Sequence, residues 1–208
     1  LYTKQTMKIY NLSDIIIQDI EFSKAKANNM GGQHIFMNIP NTTIDNSKIR
    51  FQTPICGLPF GLNEYKNKYN MDLQLNGDST FEIKQFLNLF DNHIIETASK
   101  NSFSWFKKSL HKSVINELYK SQTKENGNYP PMFRVKVPFK NNEFDGKVFN
   151  NKQEEISIHE ITKGCKVQAI IENTGLYFVA KDFGVTWKVI QLKVFPSEKL
   201  TGYSFIED

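Results

Sequence analysis

Cysteine is scarce. Cys56 and Cys165 are the only two in 208 residues, and they lie far apart in apolar surroundings, so no disulfide framework is expected. No CxxC pair occurs. The four histidines, His34, His93, His111 and His159, are scattered, which excludes a zinc site of ordinary spacing. Such sparing use of cysteine suits a reducing compartment, and we expect an intracellular protein. No apolar run reaches the roughly 18 residues that a membrane helix needs, and no signal peptide is visible. Phosphate-cradling loops are missing too: neither GxxxxGK[ST] nor GxGxxG is found. Nor are the parts of an active site present. There is no HExxH, no GxSxG and no pair of carboxylates beside a histidine at an informative spacing. Asp182 and Glu172 with His159 form too loose a set to name a reaction. The chain reads as non-catalytic, with no metal and no cofactor.

Aromatic residues are plentiful. They make up 13% of the chain and include 17 Phe, which favours a β-rich core. Net charge is only +4, so the protein is no polycation. Its distribution says more. Residues 100–140 hold nine Lys or Arg against two acids, whereas residues 141–162 hold two Lys against five acids. Charge segregated in this way can steer a polyanion to one side. It equally describes a solvated helix face.

Period-two alternation predicts strands at Gln33–Ile39, Lys48–Thr53, Tyr69–Leu75 and Met132–Phe139. Ile49, Phe51, Met71, Leu73, Phe133, Val135 and Val137 face in, while Lys48, Arg50, Arg134 and Lys136 face out. A helical insertion is predicted over about residues 79–121. Ser79-Thr80-Phe81-Glu82 reads as a capping box. Ile83, Phe86, Leu87, Phe90 and Ile94 then form one apolar stripe. A second helix is expected over Phe103–Ser121, with Phe106, Leu110, Val114 and Leu118 inward. No repeat and no long linker divides the chain, so residues 1–208 are taken as one domain, with a short tail over 197–208.

The stretch Lys163–Val194 reads as a three-stranded antiparallel meander: Cys165–Glu172, a break at Thr174-Gly175, Leu176–Ala180, a turn at Lys181-Asp182-Phe183-Gly184, and Val185–Val194. Tyr177, Phe178, Phe183 and Trp187 are interleaved there with Lys166, Lys181, Lys188 and Lys193. Flat rings stack on bases and ammonium groups neutralise phosphates, which is how a single strand is held without reading its sequence. Aromatics filling a core beneath solvated lysines would give the same pattern. Trp105, next to Lys107 and Lys108, offers a second stacking point, although a tryptophan anchoring the helix to the sheet is the preferred reading. Arg50, Arg134 and Lys136 join the phosphate contacts.

Strands, a helical connection and further strands predict a mainly β protein of α+β class. The expected form is an OB-type Greek-key barrel with extra flanking strands and a helix pair between barrel strands 3 and 4. A jelly-roll β-sandwich is the alternative. The pieces Phe51-Gln52-Thr53-Pro54, Pro59-Phe60-Gly61, Trp105-Phe106, Tyr129-Pro130-Pro131 and Phe183-Gly184-Val185-Thr186-Trp187-Lys188 resemble a family from nucleocytoplasmic large DNA viruses. These are their predicted single-stranded DNA-binding proteins, themselves distantly similar to phage replication proteins. The resemblance implies an OB-fold and non-specific binding of single-stranded DNA in viral replication, recombination and repair. It implies no catalysis, and a place at viral replication sites in the host cytoplasm or nucleus. It also implies a tail that recruits replication proteins, of which Phe205-Ile206-Glu207-Asp208 would be a stub. A structural or internal virion protein is the alternative function, and monomer and homodimer stay open.

Overall fold

The computed structural model describes residues 7–27, 32–40, 42, 43, 46–195, 197 and 205. The expected loop over Asn28–Gly32 and the C-terminal tail therefore lie almost wholly outside the described residues.

Two runs of strands, separated by helices, build a closed ring. The first is β1 (Arg50–Gln52) with β2 (Cys56–Leu58), followed by β3 (Lys68–Gln74). Three helices intervene: α1 (Phe81–Lys100), α2 (Ser102–Phe106) and α3 (Lys112–Leu118). Then come β4 (Tyr129–Val137), β5 (Cys165–Val179) and β6 (Asp182–Phe195). β1 and β2 act as one interrupted barrel strand, since both pair antiparallel with β5. Pro54 breaks the strand because it carries no N–H. Thr53 bridges the gap: its N–H donates to the Ala169 carbonyl at 2.8 Å, and its hydroxyl accepts the Ala169 N–H at 2.9 Å.

From β2 the ring passes to β3 at Gly57–Gln74 and to β4 along Met132–Val137. β4 meets β6 in parallel at Lys136–Lys188, and β6 returns along β5. A five-stranded Greek-key ring with that closure is an OB-type barrel. The ring leaves no room for the two packed sheets of a jelly roll.

Within this class three details differ from expectation. The helices fall between the second and third barrel strands, not the third and fourth. The strand expected over Gln33–Ile39 divides into Gln33–Ile35 and Met37–Asn38, and Gln33–Ile35 pairs with the far end of β5, outside the ring. Second, the expected meander is one hairpin of two long strands. Thr174-Gly175 does not turn the chain; it is a bulge at which the register with β6 slips. The turn proper is Ala180-Lys181, and Phe183 and Gly184 already pair. Third, the expected second helix is split. Lys107 takes a left-handed φ of 61°, which ends α2, and His111 then caps α3 by accepting the Ser113 N–H. The break shifts the helical phase, so Ile115 is buried and Val114 is exposed.

The stripe on α1 forms as predicted, with Ile83, Phe86, Leu87, Phe90 and Ile94 buried. Its capping box does not: Thr80 stands at the N-cap behind a short 3-10 turn, and its hydroxyl donates back to the Gly77 carbonyl at 2.9 Å instead of capping the helix. α1 packs over one opening of the barrel, where Phe86 meets Phe51 and Phe90 meets Trp187. No helix among the described residues is long and apolar enough to cross a membrane.

Candidate nucleic-acid interface

Side chains that alternate outward on β3, β4 and β6 floor a groove of about 1150 Å³. The segment 119–125 forms one bank. Asn67, Lys68 and Phe139 stand on the other. Six cations line the groove, Lys68, Lys120, Lys124, Arg134, Lys136 and Lys188, against two acids, Asp72 and Glu125.

Three of the six cations are already engaged. Arg134 grips Asp72 through two bonds of 2.7 and 2.8 Å. Lys120 pairs with Asp182 at 3.1 Å, and Lys188 with Glu172 at 3.1 Å. Lys68, Lys124 and Lys136 have no ion pair among the described residues. Lys136 stands at the surface, yet its neighbours strip part of its water. That desolvation, and then repulsion from Lys68, pulls its ammonium below the ordinary lysine value. Two lysines that repel each other with no carboxylate between them form a site for an anion.

Rings accompany the charge. Tyr69 and Phe139 stack at the groove edge with centroids 3.9 Å apart, and both are half-buried. Tyr177 lines the groove from β5, also half-buried. Burial, and then the Asp182 carboxylate, raise its phenol pKa. Gly184 makes this placement possible, because a Cβ there would stand 3.0 Å from the Tyr177 hydroxyl.

A buried polar network fixes the bank at 119–122. Asp91 on α1 accepts from the Tyr119 hydroxyl at 2.6 Å and the Ser121 hydroxyl at 2.7 Å. It also accepts from the Gln122 amide side chain at 2.7 Å and the Gln122 backbone N–H at 3.2 Å. Gln122 in turn accepts the indole N–H of Trp187. Burial, and then the Asp91 charge, push the Tyr119 phenol well above its usual pKa, so it stays a donor.

Several residues expected at the interface are elsewhere. Trp187 is 1% exposed and Phe183 is fully buried, because on this strand the inward positions carry the rings. Neither offers a free face to a base. Arg50 is buried against Glu172, its Nε 2.5 Å from the carboxylate. Lys48 and Lys188 join the same carboxylate at 3.3 and 3.1 Å. Burial works against the Glu172 charge, but hydrogen bonds from Arg50 and Lys188 outweigh it and hold the carboxyl below its ordinary pKa. Phe178 packs between Phe183, Phe106 and Trp105. Trp105 is the anchor between helix and sheet, and Lys107 follows it at the end of α2, outside the groove. Lys166 and Lys193 lie at the other end of the β5–β6 hairpin, where Lys193 rests over the Phe195 ring at 5.4 Å. Lys181 sits exposed at the hairpin turn. Of the expected set the groove gathers Arg134, Lys136, Tyr177 and Lys188, with Trp187 in its floor.

Sequence reasoning missed Lys68, Lys120, Lys124 and Tyr69. Tyr69 shares the alternation of the inward Met71 and Leu73, which hides it among core positions, and the three lysines fall at strand ends and in short strands that carry no clear period. Both thiols are buried and free, and burial pushes Cys56 up to about 12, so neither is a reactive group. Among the described residues no cluster of three His, Cys, Asp or Glu is placed to hold a metal.

Among solved structures, the chain is similar to gp2.5, a single-stranded DNA-binding protein encoded by bacteriophage T7. Identity is 12% and the TM-score 0.49, over 75% of this chain and 91% of that one. It is also similar to the single-stranded DNA-binding protein of bacteriophage Enc34, at 13% identity and a TM-score of 0.45, over 90% and 96% of the two chains. The Enc34 protein in complex with single-stranded DNA gives 12% and 0.46, over 88% and 99%. With TM-scores below 0.5, these likenesses carry no inference about the chemistry of this chain. No curated protein matches the sequence. A family model does match, over residues 64–206, from the hairpin before β3 to beyond β6, and the chain therefore belongs to the family of unknown function DUF5871.

Proposed function

We propose that this protein binds single-stranded DNA in the groove over β3, β4 and β6. The observation that carries the reading is the pair Lys68 and Lys136, which line the groove beside half-buried rings and are unpaired among the described residues. Phosphates would replace the missing counter-charges, and bases would stack on Tyr177 and on the exposed side of the Tyr69–Phe139 pair. Contacts of this kind select a flexible single strand by its backbone and ring faces, with little regard to sequence. Strands 2 and 3 are also where barrels of this type commonly receive oligonucleotides. Non-catalytic service in viral DNA replication, recombination or repair, at replication sites in the host cell, follows from the resemblance of the short motifs described above and belongs to the same proposal.

The test is a titration of labelled oligo-dT at several salt concentrations. Three free lysines, Lys68, Lys124 and Lys136, predict a slope of log affinity against log salt near −2, at about −0.7 per phosphate neutralised. The double variant Lys68→Glu/Lys136→Glu should reduce that slope by about 1.4 and weaken binding at least about tenfold. Unchanged affinity in a folded double variant would remove the proposal.

A further inference from the structure

A second cavity, of about 500 Å³, lies between α1, α2 and the segment 22–25. Lys24 and Lys107 line it with Ser23, Thr97, Asn101 and Ser104, and no carboxylate is among its walls. Neither lysine has an ion pair among the described residues; the Lys107 ammonium donates to the Ser104 carbonyl, at 3.3 Å. Trp105 closes the cavity with its buried edge. Two unpaired cations with no acid between them repeat the pairing of Lys68 and Lys136 in the groove.

The two places are joined by the tip of the β5–β6 hairpin. Tyr177 faces the groove, whereas its neighbour Phe178 faces the other way and packs on Trp105 with centroids 6.0 Å apart. Lys181 stands exposed at the turn between them. We infer that the cavity is a second contact site for the same polynucleotide, reached when a single strand leaves the groove past Tyr177 and crosses the hairpin tip at Lys181. Phosphates would enter between Lys24 and Lys107. This inference rests on the groove being a single-strand site.

Length separates the two. Oligo-dT of about 4 and about 16 nucleotides spans the range of site sizes for such barrels. The unaltered protein should bind the longer strand more tightly and with the steeper salt dependence. The variant Lys24→Glu/Lys107→Glu should bind the short strand as before and lose about 1.4 in salt slope for the long one, two phosphates at about −0.7 each. Lys24→Gln/Lys107→Gln, which removes charge without reversing it, should show the same loss of slope with an unchanged unfolding midpoint. An unaltered slope for the long strand in both variants would overturn the second site while leaving the groove standing, and would mark the cavity for another anion, such as an acidic peptide. Failure of the unaltered protein to bind either length would remove both readings together.

Discussion

Trp187 is held by three rings and one polar atom. Phe51, Phe90 and Phe133 stand 5.1, 6.0 and 6.3 Å from its centroid, and Gln122 takes its indole N–H. Replacing it with Ala would open a large cavity in the barrel and should cost roughly 3–5 kcal/mol. Trp187→Phe keeps most of the packing but leaves the Gln122 oxygen without its donor, a loss of about 1–3 kcal/mol. We expect urea unfolding to show that cost while the folded variant binds oligo-dT within about threefold of the unaltered protein, since no base touches the ring. A loss of affinity at unchanged stability would mean that the indole contacts DNA after all. Residue type alone does not separate these outcomes. A barrel strand alternates ring and lysine whether its rings face the core or a ligand, and only the closure of the ring assigns the faces. Arg50 shows the converse. Its alternation points it away from the barrel core, yet the outer surface there is covered by the Glu172 cluster, a long-range neighbour that no local pattern announces.

At the scale of elements, the hairpin of β5 and β6 is organised by one glycine. Gly175 has a φ of 105°, and a Cβ built there would lie 2.4 Å from the Ile35 carbonyl and 2.6 Å from the His34 ring. The bulge lets β5 continue past the ring and pair with Gln33–Ile35. His34 fixes this corner by bonding the Thr174 carbonyl at 2.6 Å. Gly175→Ala should therefore destabilise the fold by about 1–3 kcal/mol from the backbone strain alone. Hydrogen exchange should quicken first in Gln33–Ile35 and at the Leu176–Phe178 amides, before the rest of β5. Uniform loss of protection along the whole strand would mean that the bulge is not a local device. Glycine in a strand was legible as an irregularity, but a break and a bulge share the same residues. Which one forms depends on a partner 140 positions away, as the His34–Thr174 bond shows. Helix α1 was read well because five apolar residues at helical spacing leave no rival. Asp91, which interrupts that stripe, is explained only by the four donors that meet it.

Across the whole molecule, ion pairs engage only a minority of the described cations, and the groove is set apart by holding three engaged cations beside three free ones. The sequence shows the basic run of residues 100–140, and four of its cations, Lys120, Lys124, Arg134 and Lys136, line the groove. It could not say that Arg134 and Lys120 are neutralised by Asp72 and Asp182, nor that Lys68 arrives from the other side of the helical insertion. The free pair has a consequence for pH. In the unbound protein, desolvation and then Lys68 hold the Lys136 pKa below the ordinary lysine value of 10.5. A phosphate beside it favours the charged form and raises that pKa. Binding must then take up a proton wherever the pH lies between the two values, and by linkage affinity falls as pH rises through that interval. Oligo-dT affinity should decline on the alkaline side before ordinary lysines lose charge, while far-ultraviolet circular dichroism stays constant. Lys136→Gln should bind more weakly at neutral pH and show no such early decline. Measuring proton uptake by calorimetry in two buffers of different ionisation heat decides the matter. Uptake that disappears in Lys136→Gln assigns the proton to this lysine, and uptake that persists assigns it elsewhere and breaks the link between the free pair and the strand.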